Sequence, residues 1–259
     1  MPASLSPDPC DHPRPGLAEY RQTRQARPHR DGAEDAWVSA PARSAPTAPV
    51  EVRPSMSRSK VLMVPGWHGS GPAHWQTIWE QNHPEYVRVT QKDWRSVHRP
   101  DWVQALDRAV LSISGDVVLA AHSLGCLAVA WWAATRAGSS GRVRGAMLVA
   151  PPDLNSAPGT LPALASFTPT PLVRLPFPSL LVASENDPYA SIEAAAALAG
   201  QWGSEFLNVG AEGHINVDSG HGPWPIGQLH FERFQTQVSS PSPVARFGGG
   251  KSPSSSWAS

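Results

Sequence analysis

Short β-rich runs alternate with helical stretches from about Lys60 to Gln237, and the arrangement that buries both is a mostly parallel sheet covered by helices on its two faces. Six runs read as strands: Val61 to Val64, Tyr86 to Thr90, Val117 to Ala121, Ala146 to Val149, Leu180 to Ser184 and Phe206 to Val209. Between the second and third, Trp102, Ala105, Leu106, Ala109, Val110 and Ile113 recur at helical spacing, and Asp101 favours the helix start. Leu124 to Ala137, the alanine-rich Ile192 to Trp202, and Pro225 to Phe234, which opens with proline in its first turn, read as further helices. Pro151 to Pro178 is proline-rich and aperiodic, so a loop is expected there, crossing the strand ends and bordering any site they carry.

The 28 prolines and 21 glycines of this 259-residue chain gather toward its ends. Residues 1–59, rich in Pro, Arg, Ala and Ser, sustain no period and read as a disordered extension; residues 238–259, with Gly248-Gly249-Gly250 and Ser254-Ser255-Ser256, read as a low-complexity tail. One compact domain, 60–237, lies between them. Met56 stands just before the first strand-like run, so one expectation is that translation starts there and residues 1–55 are a gene-model extension. A peptide from that segment in natively expressed protein would overturn it.

Lysine plus arginine equals aspartate plus glutamate at 21 each, so no net field calls for nucleic acid or an anionic membrane as partner, and a small neutral substrate fits better. Cys10 lies in the proline-rich extension and Cys126 inside the domain, which argues against a disulfide between them and for a reducing cytoplasm. No apolar run approaches the roughly 18 residues of a membrane span, and the N-terminus lacks the apolar core of a signal peptide.

Chemistry concentrates where Ala120-Ala121-His122-Ser123-Leu124-Gly125 joins an apolar strand directly to a helix. A turn this tight forces the serine into a strained backbone conformation and lifts its hydroxyl above the sheet, which requires small flanking residues. Ala121 and Gly125 take those positions, so G-x-S-x-G is met with alanine for its first glycine. Taken alone, a serine between a strand and a helix, as Ser123 is, is more often a helix cap than a nucleophile. As a nucleophile it needs a base and an orienting acid from later strand ends. Asp187 follows the strand Leu180 to Ser184, and His214 follows Phe206 to Val209, giving the order serine, acid, histidine. Asp153 is the rival acid and His221 the rival base, with Asp218 a local partner for either histidine.

An oxyanion would be met by two backbone N–H groups, that of Leu124 at the helix start and that of Trp67 in the loop Pro65-Gly66-Trp67-His68-Gly69-Ser70-Gly71. Gly66, His68, His122 and Trp75 are candidate pocket residues. His68, His74 and His122 show no metal-ligand spacing, so no metal is expected. Of the 11 tryptophans, Trp102, Trp131, Trp132 and Trp202 fall in predicted helices and read as core, whereas Trp67 and Trp75 could wall an apolar pocket. Cys126 reads as a small buried hydrophobe.

The segments Val64-Pro65-Gly66-Trp67-His68-Gly69-Ser70-Gly71 with His74-Trp75, His122-Ser123-Leu124-Gly125, Ser184-Glu185-Asn186-Asp187-Pro188-Tyr189, and Gly213-His214-Ile215-Asn216 with Gly222-Pro223-Trp224-Pro225 together resemble the small serine hydrolases related to retinoblastoma-binding protein nine and bacterial YdeN. The resemblance spans the whole domain. It implies a compact α/β-hydrolase fold with little or no lid, acting without a cofactor on small esters or amides. Retinoblastoma-protein binding is not implied: the helix that would hold an L-x-C-x-E element reads Ala105-Leu106-Asp107-Arg108-Ala109, and Leu124-Gly125-Cys126-Leu127-Ala128 lacks the glutamate. A scaffold acting through protein contacts, and an amidase, aminopeptidase or thioesterase, stand as rival readings.

Overall fold

The computed structural model describes residues 59–155 and 162–239. Strands β1 (Lys60–Val64), β2 (Tyr86–Arg88), β3 (Val117–His122), β4 (Val143–Val149), β5 (Ser179–Ala183) and β6 (Glu205–Asn208) form one six-stranded sheet in the order β2-β1-β3-β4-β5-β6. Every neighbouring pair is parallel. With β3 central, all six of its residues are buried, which is why its sequence is an unbroken apolar run up to His122. The edge strand β6 carries Glu205 and Asn208 and is largely exposed.

Side chains alternate across each strand and build two cores. Leu62, Val64, Leu119 and Ala121 face α2 (Arg99–Ser112), α3 (Leu124–Thr135) and α4 (Ile192–Trp202), packing with Trp102, Leu106, Leu127, Trp132 and Trp202. Val61, Met63, Val118 and Ala120 face α1 (Trp75–Asn82) and α5 (Pro225–Ser239), packing with Trp75, Trp79, Phe231 and Phe234. Ser191 caps α4 by accepting from Ala194 N–H at 3.1 Å, and Gly203 closes it in a left-handed conformation, φ 69°.

From β1 the chain moves outward to β2, then returns through α2 to β3 on the other side. The strand order therefore reverses between β1 and β3, and the crevice beyond their carboxyl ends is where open α/β sheets bind ligands. The loop carrying Trp67 and the turn carrying Ser123 both leave the sheet at that crevice.

Several boundaries differ from expectation. β4 begins at Val143, not Ala146: Arg144 is exposed and ion-paired to Asp116 at 2.8 Å, and Gly145 lies under Phe234, where a side chain would collide, so neither residue advertises a strand. β2 ends at Arg88 and α3 at Thr135, short of Thr90 and Ala137. The last helix runs to Ser239 instead of Phe234, which carries the folded region past residue 237. The segment from Pro151 contains a 3₁₀ turn, Pro162–Phe167, anchored where Trp131 Nε1 donates to Phe167 O at 3.1 Å. Trp131 is consequently only half buried, unlike Trp102, Trp132 and Trp202. Helix α1 had no counterpart among the expected elements. The expected extension and tail, Met56 and Cys10 lie outside the described residues, apart from Ser59 and the final turn of α5.

Candidate active site

Ser123 sits between β3 and α3 with φ 52° and ψ −125°, a region that costs a non-glycine residue about 1–3 kcal/mol and that the surrounding packing must hold. A Cβ on Gly125 would overlap the carbonyl oxygen of Val64, so α3 can approach β1 this closely only with glycine there. A Cβ on Gly66 would stand 2.9 Å from Ser123 Cβ and 3.3 Å from Leu124 N, which places the loop after β1 directly against the serine turn. Among the described residues neither Trp67 N–H nor Leu124 N–H meets a backbone carbonyl, whereas His68 N–H donates to Trp94 O and Gly69 N–H to Gly66 O, both at 3.0 Å.

Three side chains from three strand ends meet above this point. His214 Nε2 lies 2.9 Å from Ser123 Oγ, and His214 Nδ1 lies 3.0 and 2.9 Å from the two carboxylate oxygens of Asp187. A carboxylate only accepts, so the neutral ring carries its proton on Nδ1 and leaves Nε2 free to accept the serine hydroxyl. Asp187 also accepts from Tyr189 N–H at 2.9 Å, and its side chain is almost wholly buried. The acid and base loops are tied to each other: Asn186 Oδ1 accepts from Gly213 N–H at 2.6 Å and Ser184 Oγ from Glu212 N–H at 2.8 Å.

The rival residues are engaged elsewhere. His221 contacts Ser219 Oγ and Glu212, and Asp153 accepts from Asn155 N–H at 3.0 Å.

A second layer of histidines lies beneath the first. His122 Nε2 donates to His214 O at 3.0 Å, and its ring is buried; burial, reinforced by His74 and His214, keeps it neutral by pushing its pKa well below the usual 6.5. His74 caps α1 through Nδ1, which accepts from Gln76 N–H at 3.2 Å, and burial with Arg88 nearby lowers its pKa to about 4. Cys126, also fully buried, has its thiol pKa pushed well up by burial. Among the described residues no group of three or more His, Cys, Asp or Glu is disposed to hold a metal ion, and no helix is long and apolar enough to cross a membrane.

Ser123 and His214 open onto a cavity of about 310 Å³ bounded by Trp67, His68, Pro152, Leu164, Tyr189 and Asp218, among others. Roomier grooves of about 520 and 540 Å³ lie against β6 and α5 and contain none of the three converging side chains. Of the four candidate pocket residues, His68 and His122 line the cavity. Trp75 does not: it is fully buried against Trp79 and Trp224, and its Nε1 donates to Ile215 O at 3.1 Å. Gly66 lies beneath the serine turn and not on the cavity wall. Tyr189, Leu164 and Pro152 were not anticipated. Tyr189, whose ring meets that of His214 edge-on at 4.5 Å, stands two positions after Asp187 and could have been suggested by that proximity. Leu164 and Pro152 belong to the aperiodic segment that was expected to border the site, although no signal singled out these two positions.

An open parallel sheet with a strained serine between central strand and helix, and an acid and a histidine on later strand ends, defines an α/β hydrolase. A family model described as serine hydrolase matches residues 61–233. Among solved structures, a YdeN-like hydrolase from Pectobacterium atrosepticum shares 31% identity and superposes with a TM-score of 0.62, covering 70% of this chain and 92% of that one. The YdeN protein of Bacillus subtilis shares 18% identity (TM-score 0.55, 69% and 99% covered), and a thermophilic esterase from Thermogutta terrifontis 14% (TM-score 0.52, 70% and 91%), likenesses of fold alone. No protein of curated function matches. The chain belongs to the serine hydrolase family and, within the α/β-hydrolase superfamily, to its YdeN-like members.

Proposed function

We propose that this hydrolase cleaves small carboxylic esters through an acyl-enzyme formed on Ser123. One observation carries the reading: the continuous hydrogen-bonded chain from Ser123 Oγ through the His214 ring to Asp187, with every link between 2.9 and 3.0 Å. In the first half-reaction Ser123 Oγ bonds to the ester carbonyl carbon as its proton passes to His214 Nε2. Asp187 holds the ring and stabilises its charge. The carbonyl oxygen, now anionic, is received by the N–H groups of Trp67 and Leu124, and their lack of backbone acceptors supports that role. His214 then protonates the departing alcohol oxygen as the carbon–oxygen bond breaks. Water attacks the acyl-serine in the second half-reaction, giving its proton to His214, which returns it to Ser123 as the carboxylic acid leaves.

The cavity volume of about 310 Å³ lies near the lower end for small-molecule sites, which favours short acyl and alcohol groups. Turnover of p-nitrophenyl acetate and butyrate tests the proposal. Ser123→Ala is expected to lose on the order of 10³- to 10⁶-fold in kcat with the fold retained. Equal rates in the two proteins would rule out the acyl-enzyme. A folded wild type that turns over no ester, amide or thioester would favour the rival reading of a scaffold acting through contacts.

A further inference from the structure

The two candidate oxyanion donors belong to different strands, Trp67 following β1 and Leu124 following β3. Their usefulness depends on a fixed separation, yet the β1–β3 pairing ends at Val64 and Ala121, just before both donors. Beyond that point the chain continues as a glycine-rich loop and a strained turn that pack together at Gly66 and Ser123, and the ladder no longer ties them by hydrogen bonds.

Gln76 of α1 takes over at that junction. Its side chain is fully buried, and its Nε2 donates to Val64 O on β1 at 3.3 Å and to Ala120 O on β3 at 2.9 Å. Its Oε1 accepts from Ser70 Oγ, at the far end of the Trp67 loop, at 2.5 Å. One planar amide therefore touches both strand ends and the loop between Trp67 and α1. Ser70 is held a second time, because its carbonyl accepts from Thr77 Oγ1 at 2.7 Å and from Arg88 Nη1 at 2.8 Å. Arg88 is itself fixed by Glu80, with Nε 3.0 Å from each carboxylate oxygen, and by Thr77.

We infer that Gln76 is a positioning residue: by bridging the carboxyl ends of β1 and β3 and bracing Ser70, it sets the separation of the Trp67 and Leu124 N–H groups. The inference rests on the acyl-enzyme reading above. Gln76 touches no reacting atom, so its loss weakens transition-state stabilisation while leaving ground-state binding in place. A purely structural glutamine would cost stability and leave turnover per active site unchanged.

The test is the steady-state rate on p-nitrophenyl acetate, expressed per site titrated with a fluorophosphonate, together with the melting temperature. Gln76→Met, which keeps the length and removes both donors and the acceptor, is expected to lower kcat about 10- to 100-fold with KM within about threefold. Trp79→Phe serves as the comparison, since it deletes a hydrogen bond from the same helix to Pro223 O, which involves neither donor, and is expected to lower Tm alone. Should Gln76→Met fail to fold, Ser70→Ala removes only the brace on the amide, and a fall in kcat of about threefold or more is expected. A kcat per titrated site within about twofold of wild type, in whichever variant folds, overturns the role of Gln76. If wild type itself takes no fluorophosphonate at Ser123, the acyl-enzyme reading fails first, and the two failures are thereby told apart.

Discussion

At residue scale, the acid is the member of the proposed triad that sequence left most open, because Asp153 and Asp187 both follow strand ends. Distances separate them: Asp187 meets His214 Nδ1, while Asp153 serves Asn155. Asp187→Asn presents the ring with an amide and invites the wrong tautomer, so kcat is expected to fall by about 10⁴-fold, whereas Asp153→Asn is expected to stay within about threefold of wild type. Steady-state kinetics on a short ester checks both, and the reverse ranking would reassign the acid. Gly125 poses a packing question instead. Gly125→Ala drives a Cβ into Val64 O and Pro65 O, which are backbone atoms that cannot swing away, so a loss of about 1–3 kcal/mol is expected in denaturant unfolding. A neutral result would mean that α3 and β1 separate freely.

At the scale of elements, the sheet was legible and helix α1 was not. Parallel strands buried on both faces write themselves as apolar runs, so β1, β3 and β5 stand out, and the alanine-rich run Ile192 to Trp202 coincides with α4, whose ends Ser191 and Gly203 cap. Helix α1 has eight residues, no acidic first turn and a histidine as its cap, none of which is a usual start signal. Its one legible sign is Trp75 and Trp79, four residues apart on the buried face. Missing it hid the support beneath the site, since Trp75 braces the base loop at Ile215 and Gln76 braces the strand ends. Except for Gln76 to Val64, 12 positions apart, these contacts join positions more than 40 apart in the chain, and no local pattern reveals them. Trp75→Phe deletes the bond to Ile215 O and is expected to cost about 1–3 kcal/mol in chemical denaturation. An unchanged midpoint would show that the loop is held without it.

Across the whole molecule, neutral histidines packed between α1 and the site couple stability to acid. His74 binds a proton with a pKa near 4 in the fold but near 6.5 when unfolded, and His122 is lowered in the same direction. Between those values the unfolded chain holds protons that the folded chain lacks, so stability is complete above pH 6.5 and declines as pH falls toward 4. The part due to His74 amounts to about 3 kcal/mol at the acid end. Urea unfolding from pH 7.5 to 4.5 measures the slope, and His74→Asn, which preserves a capping acceptor, is expected to flatten it; an unaltered slope would remove His74 from the explanation. The same compactness brings an alcohol, an imidazole and a carboxylate from three distant stretches of chain to one point, and the activity proposed here depends on their acting together. Peptide mapping of the protein after brief fluorophosphonate treatment tests that most directly. One adduct is expected, on Ser123, formed rapidly in wild type and nearly abolished in His214→Ala; an adduct on another residue, or equal labelling of Ser123 without the imidazole, would rule out the proposed triad.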